Sequence, residues 1–238
     1  STNSIMTKIL DGLFATYSER VPNVRKITYE MVKKGMVKDQ NEIINDHVAF
    51  RTMGVENLGI ASFEKIFLAH GYEKRDFFHF KVKKLDANWY SPPAPDLPRI
   101  FISELKVDLL SEKVKKIIRK YTDSVISDPV DHINLNNAEG VSSFFQNPLW
   151  ELPSIEDYEA LLAESEYAAW VIYNRYYLNH YTISVHDLPD AYCSLERFNE
   201  FLKSIGIVLN SSGGEIKTSK DKLLRQSSSV ANKVVADF

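Results

Sequence analysis

Two histidines are the residues of this chain that point most directly to chemistry, because each lies near the start of a strand-like segment. His47 lies in Asp-His-Val-Ala-Phe-Arg-Thr, and His180 lies 133 residues later in Asn-His-Tyr-Thr-Ile-Ser-Val. Side chains alternate between the two faces of a strand, so His47 shares its face with Ala49 and Arg51. Two such faces turned toward each other would form half of a metal site.

The second segment has the same character as the first. His180, Thr182 and Ser184 share one face, and the apolar side chains between them point the other way. Each strand therefore has an apolar face that suits a core and a polar face led by a histidine. A lone strand histidine is more often a structural residue than a ligand. It is therefore the matched pair that favours a metal site.

Composition excludes several classes of protein. The chain has 238 residues, of which 44% are hydrophobic and 26% charged, as expected of a globular protein with one or two domains. A net charge of -3 gives no sign of a nucleic-acid surface, and no apolar run or secretory signal indicates a membrane or export. Cys193 is the one cysteine, which excludes an internal disulfide or a cysteine-rich zinc site and favours a reducing, cytoplasmic setting.

The order of predicted elements repeats along the chain. The segment 46–110 is predicted to fold as strand, helix, strand, strand, strand. Its strands are expected at 46–53, 76–84, 86–90 and 99–107, with a helix from a cap at Asn57 through Ala69. The same order begins again with a strand at 180–185, a helix at 194–205 and strands at 207–218 and 222–231. The chain therefore predicts an internal repeat of a βαβββ unit.

The expected fold class is α+β, with paired βαβββ units that form a cupped mixed sheet or barrel. Helices at 5–20 and 23–35 make up an N-terminal segment over residues 1–45. A helical insert over 111–178, with one helix at 111–127 and one or two more at 154–177, separates the first unit (46–110) from the second (179–238). All parts are expected to belong to one compact domain.

Several segments taken together resemble one family. They are His47-x-x-Phe50-Arg51, Pro98-Arg-Ile-Phe-Ile-Ser-Glu-Leu105, Asn179-His180-Tyr-Thr182, Gly213-Gly-Glu-Ile-Lys217 and Gln226-Ser-Ser-Ser-Val-Ala231. The resemblance is to the iron-dependent 2-oxoadipate dioxygenase/decarboxylase family of the vicinal oxygen chelate superfamily. It covers the chain from about residue 40 to the C-terminus. The fold that it implies is the paired βαβββ unit.

The resemblance also implies a metal site. It implies a mononuclear Fe(II) held by two histidines and a carboxylate, with His47 and His180 as the histidines and Arg51 as the arginine that binds a substrate carboxylate. In this superfamily the third ligand comes from the last strand of the second unit. That ligand is expected beyond Phe238, so the second unit looks truncated.

Two carboxylates inside the chain are candidates to replace that ligand. Glu104 is predicted on the last strand of the first unit, the counterpart of the missing position, and is preferred on topology. Glu215 follows Gly213-Gly214 and is the alternative.

The implied reaction converts 2-oxoadipate and dioxygen into 2-hydroxyglutarate and carbon dioxide. A 2-oxo acid can chelate iron through its carboxylate and keto oxygens. Arg51 lies roughly 13 Å from His47 along the strand at about 3.3 Å per residue, which suits an extended diacid. The residues expected to supply neutral hydrogen bonds to the substrate are Thr182, Ser184, Gln226 and Ser228.

Two other functions remain open on the sequence. One is an oxygen-independent, metal-dependent isomerase or lyase of the same fold, and the other is a non-enzymatic binder of small molecules. The chain has no glycine-rich phosphate loop and no Gly-x-Ser-x-Gly motif, which argues against an α/β-hydrolase. The expected partners are a small 2-oxo acid and dioxygen, without nucleic acid or membrane, and the oligomeric state is open.

Overall fold

The structure is a computed structural model that describes residues 2–20, 22–38, 45–175, 178–183, 194–207, 217–218 and 225–226. Its helices are α1 (Thr2–Arg20), α2 (Pro22–Lys33), α3 (Ile60–Leu68), α4 (Glu112–Thr122), α5 (Ala138–Gln146), α6 (Ile155–Glu164), α7 (Glu166–Asn174) and α8 (Leu195–Ser204). Its strands are β1 (Asn45–Met53), β2 (Glu73–Phe80), β3 (Leu85–Ser91), β4 (Arg99–Leu105), β5 (Leu178–Ile183), β6 (Lys217–Thr218) and β7 (Arg225–Gln226). None of these described helices has the length and apolar character needed to cross a lipid bilayer.

The described residues fall into two compact units. The first includes those of Ser1–Leu13 and Asp46–Tyr181, and the second includes those of Phe14–Asn45 and Thr182–Val235. The predicted first βαβββ unit and the helical insert both belong to the first of these units.

A five-stranded mixed sheet with the order β2-β3-β4-β1-β5 contains the first βαβββ unit. β2 pairs with β3 and β3 with β4 in antiparallel fashion, whereas β1 and β4 are parallel. The first and last strands of the unit therefore lie side by side, with α3 as the crossover. The predicted α+β class and the predicted order of the first unit are confirmed.

One face of this sheet is covered by aromatic packing. Phe50 of β1 lies 4.8 Å from Phe63, 5.5 Å from Phe67 and 5.6 Å from Phe145, measured between ring centroids. Phe63 and Phe67 belong to α3 and Phe145 to α5, and all four rings are buried. Because Phe50 and His47 are an odd number of residues apart on β1, the core lies on the face opposite His47.

A helix start and a strand end predicted in the first unit differ from the structure. The helix predicted from Asn57 begins instead at Ile60, after Gly59, whose φ of 92° favours glycine. β2 ends at Phe80, because the chain turns at once into β3 and Lys84 takes a left-handed φ of 59°. β2 is exposed along its whole length, as the edge strand of the sheet.

The helical insert contains more helices than the sequence predicts. Helix α5 is additional, and the Asn137 side chain caps it by accepting a hydrogen bond from the Gly140 N–H at 3.2 Å. The region 154–177, predicted to form one or two helices, forms two, and Ser165 separates α6 from α7. The Ser165 hydroxyl caps α7 by accepting from the Ala168 N–H.

The second compact unit has its own small core. Apolar side chains of α2 and the residues after it pack with those of α8: Met31, Met36, Val37, Phe198, Phe201, Leu202 and Ile207. The prediction for α8 is correct within one residue at each end, and the chain leaves the helix at Gly206 with φ 86°. β6 and β7 form an antiparallel pair, and the rest of the strands predicted over 207–231 lies outside the described residues.

Candidate metal and substrate site

The two histidines lie on neighbouring strands. His47 is on β1 and His180 is on β5, which is adjacent to β1 at the edge of the sheet. His47 is half-buried, and its register partner on β4 is Arg99. The side chain of His180 lies outside the described residues, so the meeting of the two imidazoles stays a prediction. Such a meeting requires that the two strands lie close together, and β1 and β5 are neighbours in the sheet.

Arg51 lies on the same face of β1 as His47 and is held by the first turns of α7. Its guanidinium carbon lies 5.0 Å from the ring centroid of Tyr167 and 5.2 Å from that of Trp170. Its Nη1 donates to the two carboxylate oxygens of Glu166 over 3.4 and 3.5 Å. Cation–π contacts with two rings therefore hold the guanidinium in place, while the ion pair is long for a charged hydrogen bond.

Tyr167 attaches α7 to the sheet. Its hydroxyl accepts from the Thr52 N–H at 3.0 Å and donates to the Thr52 carbonyl at 3.0 Å. It also lies 2.9 Å from the Ser103 hydroxyl, the register partner of Arg51 on β4. Burial raises the pKa of Tyr167 far above its ordinary value, so the phenol stays protonated and remains a donor.

No local pattern in the sequence predicts this support of Arg51. Glu166, Tyr167 and Trp170 come from the helical insert, 115 residues beyond Arg51 in the case of Glu166. The aromatic residues around Trp170 have helical spacing, which predicts core packing. In the structure, the Trp170 ring also contacts the guanidinium of Arg51.

Glu104 has a different place from the one preferred on topology. Its Oε1 accepts from the N–H of Ile60 at 3.0 Å, at the start of α3. It pairs in register with Thr52, which alternates with His47, so its side chain lies on the opposite face of the sheet from His47. Glu104 therefore satisfies a backbone donor at a helix N-terminus, and the structure does not bring it together with His47.

The remaining predicted site residues carry no described side chain. Thr182 lies in β5 and Gln226 in β7, and only the strands themselves are described there. Ser184, Glu215 and Ser228 lie outside the described residues. Within the part of the chain that the structure describes, no group of three His, Cys, Asp or Glu side chains is placed to hold a metal ion.

An open basin in the helical insert is separate from these residues. It is lined by both apolar and polar side chains, and the polar ones include Ser127, His132, Asn134 and Asn137. Ser127 and His132 are joined by a 2.8 Å hydrogen bond, and both are exposed. None of the predicted metal or substrate residues lines this basin.

The order of the mixed sheet, in which β1 and β4 are parallel neighbours, agrees with the predicted fold class of the vicinal oxygen chelate proteins. A glyoxalase superfamily protein from Ralstonia eutropha has this fold: its crystal structure matches with a TM-score of 0.74 over 93% of this chain and 72% of that chain. Its sequence identity is 21%, so this likeness concerns the fold alone.

The family follows from the sequence comparisons. The family model HGLS, 2-oxoadipate dioxygenase/decarboxylase, matches residues 9–238, and the chain belongs to this family. The resemblance seen in the sequence motifs is therefore confirmed.

Two relatives show how far the similarity extends. The chloroplastic 2-oxoadipate dioxygenase/decarboxylase of Arabidopsis thaliana is 38% identical over 249 residues, which covers 100% of this chain and 64% of the relative. The crystal structure of the hydroxyglutarate synthase in complex with 2-oxoadipate from Oryza sativa is 39% identical, with a TM-score of 0.85 over 97% of this chain and 74% of that chain. This chain thus spans less than two thirds of the length of the Arabidopsis relative.

Proposed function

We propose that this chain carries the histidine ligands and the substrate arginine of an Fe(II)-dependent dioxygenase/decarboxylase that acts on 2-oxoadipate or a similar 2-oxo diacid. The observation that carries the proposal is the position of His47 and His180 on adjacent strands, with Arg51 further along the same face as His47. Membership of the family and the likeness to a rice protein crystallised with 2-oxoadipate support it.

The donor chemistry of these residues fits a ferrous ion. Two imidazoles and one carboxylate on one face of the metal form the ligand set of non-haem iron oxygenases. His47 and His180 would supply the imidazoles. Glu215 remains the candidate third ligand within this sequence. When bound, Fe(II) supplies the redox chemistry with dioxygen that amino-acid side chains lack.

The protein's own residues would position the substrate. The planar guanidinium of Arg51 suits a carboxylate. Its contacts with the rings of Tyr167 and Trp170 would hold it in place for the substrate. A diacid that reaches from His47 to Arg51 would have its 2-oxo end at the metal and its far carboxylate at the guanidinium. Thr182, Ser184, Gln226 and Ser228 remain the proposed neutral hydrogen-bonding residues.

The proposed reaction balances with dioxygen as the only co-reactant. The six-carbon 2-oxoadipate loses one carbon as carbon dioxide and becomes the five-carbon 2-hydroxyglutarate. The two products together carry both atoms of the dioxygen.

A cytoplasmic location is also part of the proposal, because the chain has a single cysteine. The Arabidopsis relative, in contrast, is named as chloroplastic.

Oxygen uptake and carbon dioxide release by the iron-loaded chain test the proposal. With 2-oxoadipate we expect equal amounts of the two gases, and His47→Ala or His180→Ala should abolish both and lower the bound iron. His79→Ala is the matched control, because His79 is an exposed strand histidine of the same sheet that pairs with Asp86 at 2.7 Å. Equal iron content and uptake in all three variants would contradict the proposal, and turnover without oxygen would indicate an isomerase or lyase.

A further inference from the structure

Arg51 already has a carboxylate partner in the structure, and that partner belongs to the protein. We infer that Glu166 is a resident counter-ion that the far carboxylate of the substrate displaces from Arg51. Glu166 would then tune the affinity of the site for dicarboxylates. The inference rests on the proposed function, since it takes Arg51 as the residue that binds the substrate carboxylate.

The geometry of the pair makes Glu166 a partner that is easily exchanged. Both carboxylate oxygens reach one guanidinium nitrogen, Nη1, at 3.4 and 3.5 Å. A close charged pair of this type measures about 2.7–2.9 Å, and arginine commonly uses two nitrogens. The Glu166 side chain is 66% exposed, against 24% for Arg51. Such a solvated carboxylate gives up little interaction when another anion replaces it.

Arg51 would keep its place during the exchange. The rings of Tyr167 and Trp170 lie 5.0 and 5.2 Å from the guanidinium carbon and hold it independently of Glu166. Tyr167 is fixed in turn by its hydrogen bonds to the backbone of Thr52. The fork is therefore pre-oriented for an incoming carboxylate, and only its anionic partner changes.

The N-terminal cap of α7 does not use the Glu166 carboxylate. The helix is capped by Ser165, whose hydroxyl accepts from the Ala168 N–H at 3.1 Å. A Glu166→Gln variant keeps the shape and removes the charge, so it isolates the role of Glu166 as a counter-ion. The contribution of an exposed ion pair corresponds to a change of about two- to five-fold in the dissociation constant.

Calorimetric titration of the iron-loaded chain without oxygen tests this inference. Glu166→Gln should bind 2-oxoadipate about two- to five-fold more tightly than the wild type. Its affinity for 2-oxohexanoate, which has the same carbon chain without the far carboxylate, should not change. Glu159→Gln is the matched control: it removes an equal charge from an exposed site on α6 and should change neither affinity.

The arginine variant separates failure of this inference from failure of the proposed function. Arg51→Ala should weaken 2-oxoadipate binding, and adding Glu166→Gln to it should have no further effect, because the two residues act through one interaction. If the wild type does not bind 2-oxoadipate, or Arg51→Ala binds it equally well, the proposed function fails and the inference fails with it. If Arg51→Ala binds more weakly but Glu166→Gln binds no more tightly than the wild type, only the inference is overturned.

Discussion

The hydroxyl of Tyr167 should be worth more to stability than any ordinary tyrosine hydroxyl on the surface. Tyr167→Phe removes one oxygen atom and leaves the ring that supports Arg51. It also removes the acceptor of the Thr52 N–H, a donor to the Thr52 carbonyl and a partner of Ser103. We therefore expect a clear loss of stability with little change in packing.

The magnitude follows from what each group loses. Thr52 is fully buried, so its N–H would be left without an acceptor, which costs about 1–3 kcal/mol. The Ser103 hydroxyl keeps a second contact with the Phe50 carbonyl at 3.4 Å and loses less. With the second lost bond to Thr52, the total is about 2–4 kcal/mol, or roughly 4–16 °C in melting temperature for a chain of this size.

Chemical denaturation followed by tryptophan fluorescence suits this test. All three tryptophans, Trp89, Trp150 and Trp170, lie in the first compact unit and report on the part that Tyr167 stabilises. Circular dichroism follows the whole chain, and Tyr29→Phe removes the same atom from a ring that is 60% exposed. If Tyr167→Phe lowers the unfolding free energy by less than about 0.5 kcal/mol, as a surface substitution does, the reasoning on the buried network is refuted.

Three further predictions follow from the packing around the sheet. Glu104→Ala should lower the unfolding free energy by about 1 kcal/mol through the lost bond to Ile60, and elemental analysis should find the metal content unchanged. Burial acts to raise the pKa of Asp128, but hydrogen bonds from Lys65 and two neighbours hold it below the ordinary 3.8. Asp128 therefore stabilises the fold above about pH 4 and loses that effect as the pH falls through its lowered pKa, so Asp128→Asn should flatten the acid side of a stability–pH curve. Phe63→Ala should cost about 3–5 kcal/mol in urea unfolding, and a cost below 1 kcal/mol would contradict the aromatic core.

Alternation of apolar and polar residues predicted much of the sheet, because burial on one face imposes that pattern. β1 and β4 were predicted nearly to their ends, and 86–90 lies within β3. The pattern failed after Phe80, where Lys81–Lys84 continue the alternation but form the turn of a hairpin. A turn at this point depends on the pairing of β2 with β3, which a single strand pattern does not encode.

Helix α5 was missed for a related reason. Its sequence, Ala-Glu-Gly-Val-Ser-Ser-Phe-Phe-Gln, contains glycine and two serines and has a weak helical propensity. The helix is stabilised by burial of Val141, Phe144 and Phe145 in the core. Tertiary packing of this kind overrides propensity, and it is visible only once the neighbouring elements are in place.

In the candidate site, too, local patterns were predictable from the sequence, whereas contacts between distant segments were not. The shared face of His47 and Arg51 is a local property of one strand, and alternation predicted it. The choice of Glu104 required the register between β1 and β4, and that register places Glu104 on the core face. Tyr167, which supports Arg51, is bonded to Thr52, 115 residues earlier, and a single sequence carries no pairing signal over that distance.

The position of β5 beside β1 has a consequence for biosynthesis. The ribosome completes His47 long before His180, since 133 residues separate them. At about 5–20 residues per second, this interval lasts roughly 7–27 s. During that time a nascent chain can build β1 to β4 and the insert, yet it has only one of the two imidazoles. The proposed iron site therefore cannot be loaded before His180 has been made, and by then the strands β1 to β4 can already have folded.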